Sequence, residues 1–419
     1  MGLGLALALT LAASLTLGAA TAESPALDLF DEAAYHLTLQ YGGFADPPPA
    51  DLAPDLRAAL ADACEAGAEA CTPSDGADAV RDLVDALDDG HTAYLDPDAF
   101  AALTRRLSGD GSSDRGFGWL LATDPDEGAM VVDRTFAGGP AREAGLRRGD
   151  RPVALNGDPV PSGEAGRESL RRAAAEGSPA RLTFRRDGTF QPTVTLKAES
   201  AQPLPTLDLL PGDVGWIQIP TFFVIGAIGS AVHERVREAS AAGARSLIVD
   251  VRGNPGGFVH ESLVAAGAFL PEPSRRIEAR QIDSVWRFRD GVLTIRSGDG
   301  PEFPQAEVEE LARFRGPVAV LIDQRSASSA EFFALDLNDH ADAVIVGETS
   351  VGVADTVTAF AGLSNGGGLQ ITTGRVRTVD GDPYPAHVVP DRTVDAAEAP
   401  LPAHADPVVQ AALRALRTP

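Results

Sequence analysis

Four short apolar runs constrain this chain more than any other feature: "VGWIQIP" (214–220), "RSLIVDV" (245–251), "GPVAVLID" (316–323) and "DAVIVGE" (342–348). Each has the length of a strand, and helix-length patterns such as "IGSAVHERVREASAAG" and "SSAEFFALDLNDH" separate them. Strands alternating with helices of this size fold as a mostly parallel sheet with right-handed crossovers, so the carboxyl-terminal half is expected to be α/β. Ligands of such sheets sit at the carboxyl ends of the strands. Two loops of small residues fall there, "RGNPGG" (252–257) and "RSASSAE" (325–331), and they are the first places to look for chemistry.

The rest of the chain narrows the setting. The first 22 residues carry no charge and end in Ala-Thr-Ala, the small-x-small pattern that signal peptidase accepts. Residues 1–22 are therefore expected to be a signal peptide that sends the chain to a secreted or periplasmic location; an uncleaved apolar anchor would read similarly. No later run approaches membrane-spanning length. Cys64 and Cys71, the only cysteines, fit one local disulfide in an oxidised compartment, with two thiols as the alternative. A net charge of -25 repels phosphate backbones and anionic lipid, which argues against nucleic acid as a partner. Lys197 is the single lysine, and arginine does not deprotonate at working pH, so a neutral lysine base has one candidate. Nothing resembles a zinc HExxH, a phosphate-binding loop or a dinucleotide fingerprint, so no metal or organic cofactor is expected.

Residues 23–108 alternate helical patterns ("ALDLFDEAAYHLTLQY", "DLRAALADACEAG", "AVRDLVDALDD") with a Pro-rich connector, predicting a small helical region. A Gly/Ser/Asp stretch, "SGDGSSDRG" (108–116), marks its end. Residues 109–200 read as β-rich. Within them "GFGW" (Gly116–Trp119) and "GGPAREAGLRRGDRPVALNG" resemble a PDZ domain in order and spacing. Gly116 and Gly118 let consecutive backbone N–H groups converge on an anion, and the next strand offers an open edge to an extended peptide. The resemblance implies that Gly116, Phe117, Gly118 and Trp119 bind proteins or peptides with apolar C-terminal tails. Residues 201–419 then form the α/β core.

The order "DDGHT" (88–92), PDZ-like segment, "VDVRGNPGG", "RSASSAE", "VGETSVG" and "VVPDRTV" resembles the C-terminal processing, or tail-specific, peptidases. These are serine proteases with a PDZ domain before a mixed α/β catalytic core, so the resemblance implies a serine endopeptidase. It places the nucleophile at Ser328, with Ser326 and Ser329 as neighbours to exclude. Read from the residues alone, a serine between a strand and a helix is either a nucleophile or an N-cap. The oxyanion donors are implied to be the backbone N–H of Gly256 or Gly257 and that of Ser329; a plain β-turn is the other reading of "RGNPGG".

The base is where the sequence departs from the lysine-using branch. That branch carries "FGKG" where this chain has "SVGVAD", so the lysine position is Val353, and its assisting glutamine falls near Val357. The chain is closer to the branch that resembles the tricorn core protease and the retinoid-binding-protein-like peptidases, which implies His91 of "DDGHTAYL" as general base. A similar motif also serves relatives as a structural linker. That branch orients its histidine with a glutamate, but "DGDPYPAHVVPD" (380–391) has none. Asp382 leads the substitutes, ahead of Asp380 and Tyr384, and His387 is an alternative base. Glu331 and Glu348 read as structural carboxylates. The rival from another class is a degenerate peptidase fold that only binds peptides; binding of an apolar small molecule is a third reading.

Overall fold

The computed structural model describes residues 24–417 apart from 44, 67–70, 108–114 and 280–281. The expected signal peptide and most of the 108–116 boundary lie outside the described residues. The four apolar runs supply four strands of a six-stranded sheet in the order Arg392–Thr393, Val344–Gly347, Val318–Ile322, Ser246–Asp250, Val214–Gln218, Thr206–Leu210. Every neighbouring pair is parallel except the last. The three central strands are buried along their whole length, because both faces of the sheet are covered. On one face Val232 and Val236 of helix Ile228–Ala241 and Phe332 and Phe333 of helix Ser329–Ala341 pack with Val249, Val320 and Ile345. On the other, Val408, Val409 and Ala412 of helix Pro407–Ala415 pack with Trp216, Ile248, Leu321 and Val346.

A second sheet lies beyond what the alternation predicts. It has seven strands, all paired antiparallel: Ala93–Leu95, Gly368–Arg377, Ser274–Ala279, Ile282–Arg289, Val292–Ser297 and Glu302–Glu307 in that order, with Thr356–Gly362 also on Gly368–Arg377. Arg289 pairs with Val292, leaving Asp290 and Gly291 at φ 49° and 88° as a two-residue hairpin turn. Both positive φ values suit the Asp-Gly pair.

The N-terminal helices Pro25–Gln40, Pro49–Ala66 and Pro73–Asp85 settle on this second sheet. Leu29, Phe30, Leu37, Val80 and Leu83 share one core with Ala361, Leu363, Leu369 and Ile371. The helical region thus has no closed core of its own; strands from far along the chain complete it. Cys64 and Cys71 are bridged there. Two of its helices start on ordinary caps: Ser24 accepts from the N–H of Leu27, and Thr72 with Asp75 forms a capping box.

Residues 115–200 form a third body. Strand Trp119–Thr123 pairs with Met130–Thr135, while Arg151–Leu155 and Ala180–Arg186 centre a five-stranded sheet. Helix Gly163–Ala175 closes the body over Phe117, Met130, Leu146, Leu170, Leu182 and Leu196. Among the described residues no helix is long and apolar enough to cross a membrane.

Candidate active site

The turn between strand Val318–Ile322 and helix Ser329–Ala341 holds all three serines of "RSASSAE", and the structure separates them. Ser326 is fully buried; its Oγ donates to Val251 O at 2.9 Å and accepts the N–H of Asp323 at 3.0 Å. Ser329 is fully buried too, and its Oγ donates to Gly257 O at 2.8 Å. Ser328 is half-buried, with φ 52° and ψ -116°. Ordinary N-caps in this chain lie in the extended region, Ser24 at φ -68° and Thr72 at φ -85°. A positive φ costs a residue with a Cβ about 1–3 kcal/mol, so the neighbours must enforce it. A sharp strand-to-helix turn of this kind lifts a side chain clear of the backbone at the sheet's carboxyl edge.

The loop "RGNPGG" closes against that turn. A Cβ on Gly256, whose φ is 88°, would lie 2.8 Å from Ser328 Cβ and 2.7 Å from Ala327 O, so only glycine fits. Gly256 is one of the two alternatives for the oxyanion role, but its N–H is already spent on Asn254 Oδ1 at 2.9 Å, which leaves Gly257. Asn254 in turn donates through Nδ2 to Ile219 O at 3.0 Å and accepts the N–H of Ala327 on its carbonyl at 3.0 Å. Gly257 bridges Phe222 in parallel fashion, which uses Gly256 O and the N–H of Phe258. Among the described residues the N–H groups of Gly257 and Ser329 make no hydrogen bond.

A buried ionic cluster anchors the start of the loop. Arg252 meets Asp250 at 2.7 Å and Asp406 at 3.0 Å, while Arg134, from the third body, donates to the Arg252 carbonyl. Burial opposes the charged form of Asp250, but Arg252, Arg134 and Arg148 outweigh it and hold the carboxyl well below the usual range.

Glu331 is the residue whose importance the sequence understates. It sits three residues after Ser328, fully buried, and its carboxylate accepts the N–H of Ser328 at 2.6 Å, of Gly352 at 2.9 Å and of Val353 at 3.1 Å, with the hydroxyl of Ser350 added. Burial raises this carboxyl above its ordinary value, against the pull of those donors. One side chain thereby ties the 350–353 segment to the Ser328 turn.

That segment carries the site toward His91. Gly90, His91, Gly352, Val353, Asp355 and Thr356 line one cavity of about 400 Å³. The His91 ring bonds through Nδ1 to Thr356 Oγ1, while the residue's backbone N–H donates to Asp89 Oδ1 at 2.9 Å and its backbone carbonyl accepts from Gln370 Nε2 at 2.8 Å. Burial lowers the imidazole from its usual value, with Asp89 and Asp355 pulling the other way, so the neutral ring is favoured. Val353 lies beside Gly90 in this cavity, and its N–H shares Glu331 Oε2 with that of Ser328. His91 and Ser328 are linked through these groups rather than by a direct hydrogen bond.

Asp382 does not orient His91 here. It is exposed in a turn, its N–H on Thr378 Oγ1 at 3.1 Å, and the carboxylates that bear on His91 are Asp89 and Asp355. Asp380 is likewise exposed, and Tyr384 is buried with its hydroxyl on Asp336 Oδ1 at 2.8 Å. His387 packs its ring on Gly352, with Nδ1 3.4 Å from Ser350 O. In the third body the N–H of Gly116 is committed to Glu199 O at 3.0 Å and the Phe117 ring is buried in the core. Among the described residues the N–H groups of Phe117 and Gly118 make no hydrogen bond, whereas that of Gly116 does. Trp119 is half-buried, edge-on to Phe117 at 5.6 Å.

Comparison with known proteins places this geometry in company. A family model described as peptidase family S41 matches residues 213–394. The C-terminal processing peptidase, chloroplastic, of Tetradesmus obliquus is 30% identical over 342 residues, covering 76% of this chain and 68% of that protein. The carboxyl-terminal-processing protease of Synechocystis is 27% identical over 324 residues, 76% of this chain and 70% of that protein. The carboxy-terminal processing protease CtpA of Bacillus subtilis is 22% identical over 306 residues, 73% of this chain; the match spans 60% of that protein's length.

Proposed function

Because the chain belongs to the carboxyl-terminal processing peptidases of family S41, we propose that it is a serine endopeptidase whose acyl-enzyme forms on Ser328. The observation that carries this reading is the positive φ of Ser328 against the glycine loop, a conformation no ordinary helix cap needs. Ser328 Oγ attacks the substrate carbonyl and its proton passes to Nε2 of His91, whose Nδ1 is engaged by Thr356. The oxyanion faces the N–H groups of Gly257 and Ser329. Collapse expels the amine, which takes the proton from His91, and water then releases the acyl group with the same base. The reading requires Ser328 Oγ and His91 Nε2 to come within hydrogen-bond reach in the substrate complex.

Residues 109–200 are read as a PDZ domain that captures a protein's apolar C-terminal tail. Among the described residues the N–H groups of Phe117 and Gly118 are free, which supports a carboxylate site, and strand Trp119–Thr123 pairs only with Met130–Thr135. The uncharged leader and the Cys64–Cys71 bridge support a secreted or periplasmic setting. One observation favours a second reading, a peptide-binding module without catalysis: apolar Val353 stands where the lysine-using branch keeps its base. The test treats the protein with a fluorophosphonate probe and an unfolded apolar-tailed substrate, comparing wild type, Ser328→Ala and His91→Ala. Labelling and cleavage lost in both variants support the dyad. Undiminished cleavage by His91→Ala removes His91 as base, and an inert wild type favours the binding module.

A further inference from the structure

The groove between strand Trp119–Thr123 and helix Gly163–Ala175 is bridged by one side chain. Arg167, on the second turn of that helix, donates from Nη1 to Leu121 O at 2.8 Å and from Nη2 to Thr123 Oγ1 at 3.3 Å. Its Nε lies 3.4 Å from Glu164, whose side chain is largely exposed. The Leu121 carbonyl therefore points into the groove, away from the Met130–Thr135 strand. In a strand the N–H and C=O of one residue share a side and alternate from residue to residue, so Leu121 is a rung that an added peptide strand must use. An arginine holds that rung when the groove is empty.

We propose that Arg167 selects an acidic side chain two residues before the terminus of the captured tail. This rests on the reading of residues 109–200 as a peptide-capturing domain. A tail whose carboxylate meets the N–H groups of Phe117 and Gly118, and which runs antiparallel along the strand, sets its last residue beside Trp119. The residue two before it then lies beside Leu121. Its N–H takes the Leu121 carbonyl and displaces the guanidinium, which loses its acceptor in a half-buried place. An Asp or Glu at that position supplies two oxygens in the fork geometry that guanidinium prefers. A neutral side chain leaves the displaced donors to solvent and to Glu164 alone.

The test measures binding of fluorescent peptides to the protein, using one apolar-ended tail with Glu, Gln or Lys at the third position from its end. An amidated copy and copies with Glu one position to either side complete the set. Wild type is expected to bind the Glu tail roughly five- to tenfold more tightly than the Gln tail, the span of a partly exposed charged pair. Arg167→Met should bring that ratio to about one while binding the Gln tail at least as well, because the rung is then open. Arg167→Glu should reverse the order in favour of Lys, which shows that a folded variant has been measured. A Glu preference that survives Arg167→Met, or that sits at a neighbouring position, overturns the proposal. Equal failure of free and amidated tails to bind overturns the peptide-capture reading itself and this inference with it, a result distinct from tails that bind without regard to Arg167.

Discussion

The turn that carries Ser328 and the segment that carries His91 are joined through Glu331 and Val353, yet they are built on different sheets. Ser328 stands at the edge of the buried parallel sheet, fixed by bonds from its nearest neighbours: Ser326 to Val251, Ser329 to Gly257, Asn254 to Gly256, and Glu331 beneath all of them. His91 comes from the N-terminal region and reaches its place because the adjoining strand Ala93–Leu95 pairs with Gly368–Arg377 of the antiparallel sheet. Local strain places the serine; tertiary docking places the histidine. Ser328, the proposed nucleophile, is held by bonds within one sheet edge, whereas His91, the proposed base, depends on how well two sheets stay together.

Changes at Ser328 separate the two most sharply. Ser328→Ala should lower kcat/KM by about 10⁴-fold or more with no fall in thermal midpoint. Ser328→Gly should be equally inactive yet gain about 1 kcal/mol in denaturant unfolding, since glycine carries no penalty at positive φ. A stability loss in the glycine variant would show that the turn is not strained. Glu331→Ala strikes the one group common to both sides, stranding three N–H groups and a hydroxyl. Urea unfolding should show a loss of roughly 3–4 kcal/mol, with activity gone as well.

Acid should weaken the serine side through His233. This imidazole is fully buried on helix Ile228–Ala241, bonded to Val264 O and to the N–H of Ala312, and burial pushes it down to about 4. A base favoured in its neutral form stabilises fully above its ordinary value near 6.5, and that stability is lost as pH falls from there toward 4. Urea midpoints at pH 7.5 and 5.5 should differ by about 1 kcal/mol in stability; His233→Gln, which keeps a donor and an acceptor but does not titrate, should flatten the difference. The smallest effect belongs to the histidine side. The acid limb of kcat/KM should lie below the ordinary imidazole value, and Asp355→Asn, which removes a carboxylate that favours imidazolium, should lower it further by about a few tenths of a unit. An upward shift would mean that the titrating base is not His91.

The parallel sheet was legible because its strands are continuous apolar runs, and the two loops at its carboxyl edge follow from where such sheets bind. Choosing among Ser326, Ser328 and Ser329 was harder: all three are small and polar, and only their hydroxyl partners and the φ of Ser328 distinguish them. Gly256 and Gly257 looked equivalent until Asn254 claimed one N–H. The antiparallel sheet had a readable signal in "FRDGVLTI", an Asp-Gly turn between apolar alternations. Thr356 and Asp355 had none, since their place beside His91 depends on a pairing between residues far apart in the chain. Asp382 was drawn in by nearness in sequence to the missing glutamate, and the turn at Thr378 carries it away.

The shared core of the N-terminal helices and the Ala361–Ile371 strands has a consequence for what counts as a unit in this protein. The stretch that carries the family's signature starts at residue 213, but a chain beginning there would leave Leu369 and Ile371 facing water with nothing to cover them. Such a fragment would be sticky, and the histidine proposed to serve Ser328 would be missing from it. The part of the chain that is easiest to recognise is therefore not a part that can be inherited, trimmed or moved by itself; the helices that look like a preface are one wall of the room in which the chemistry takes place.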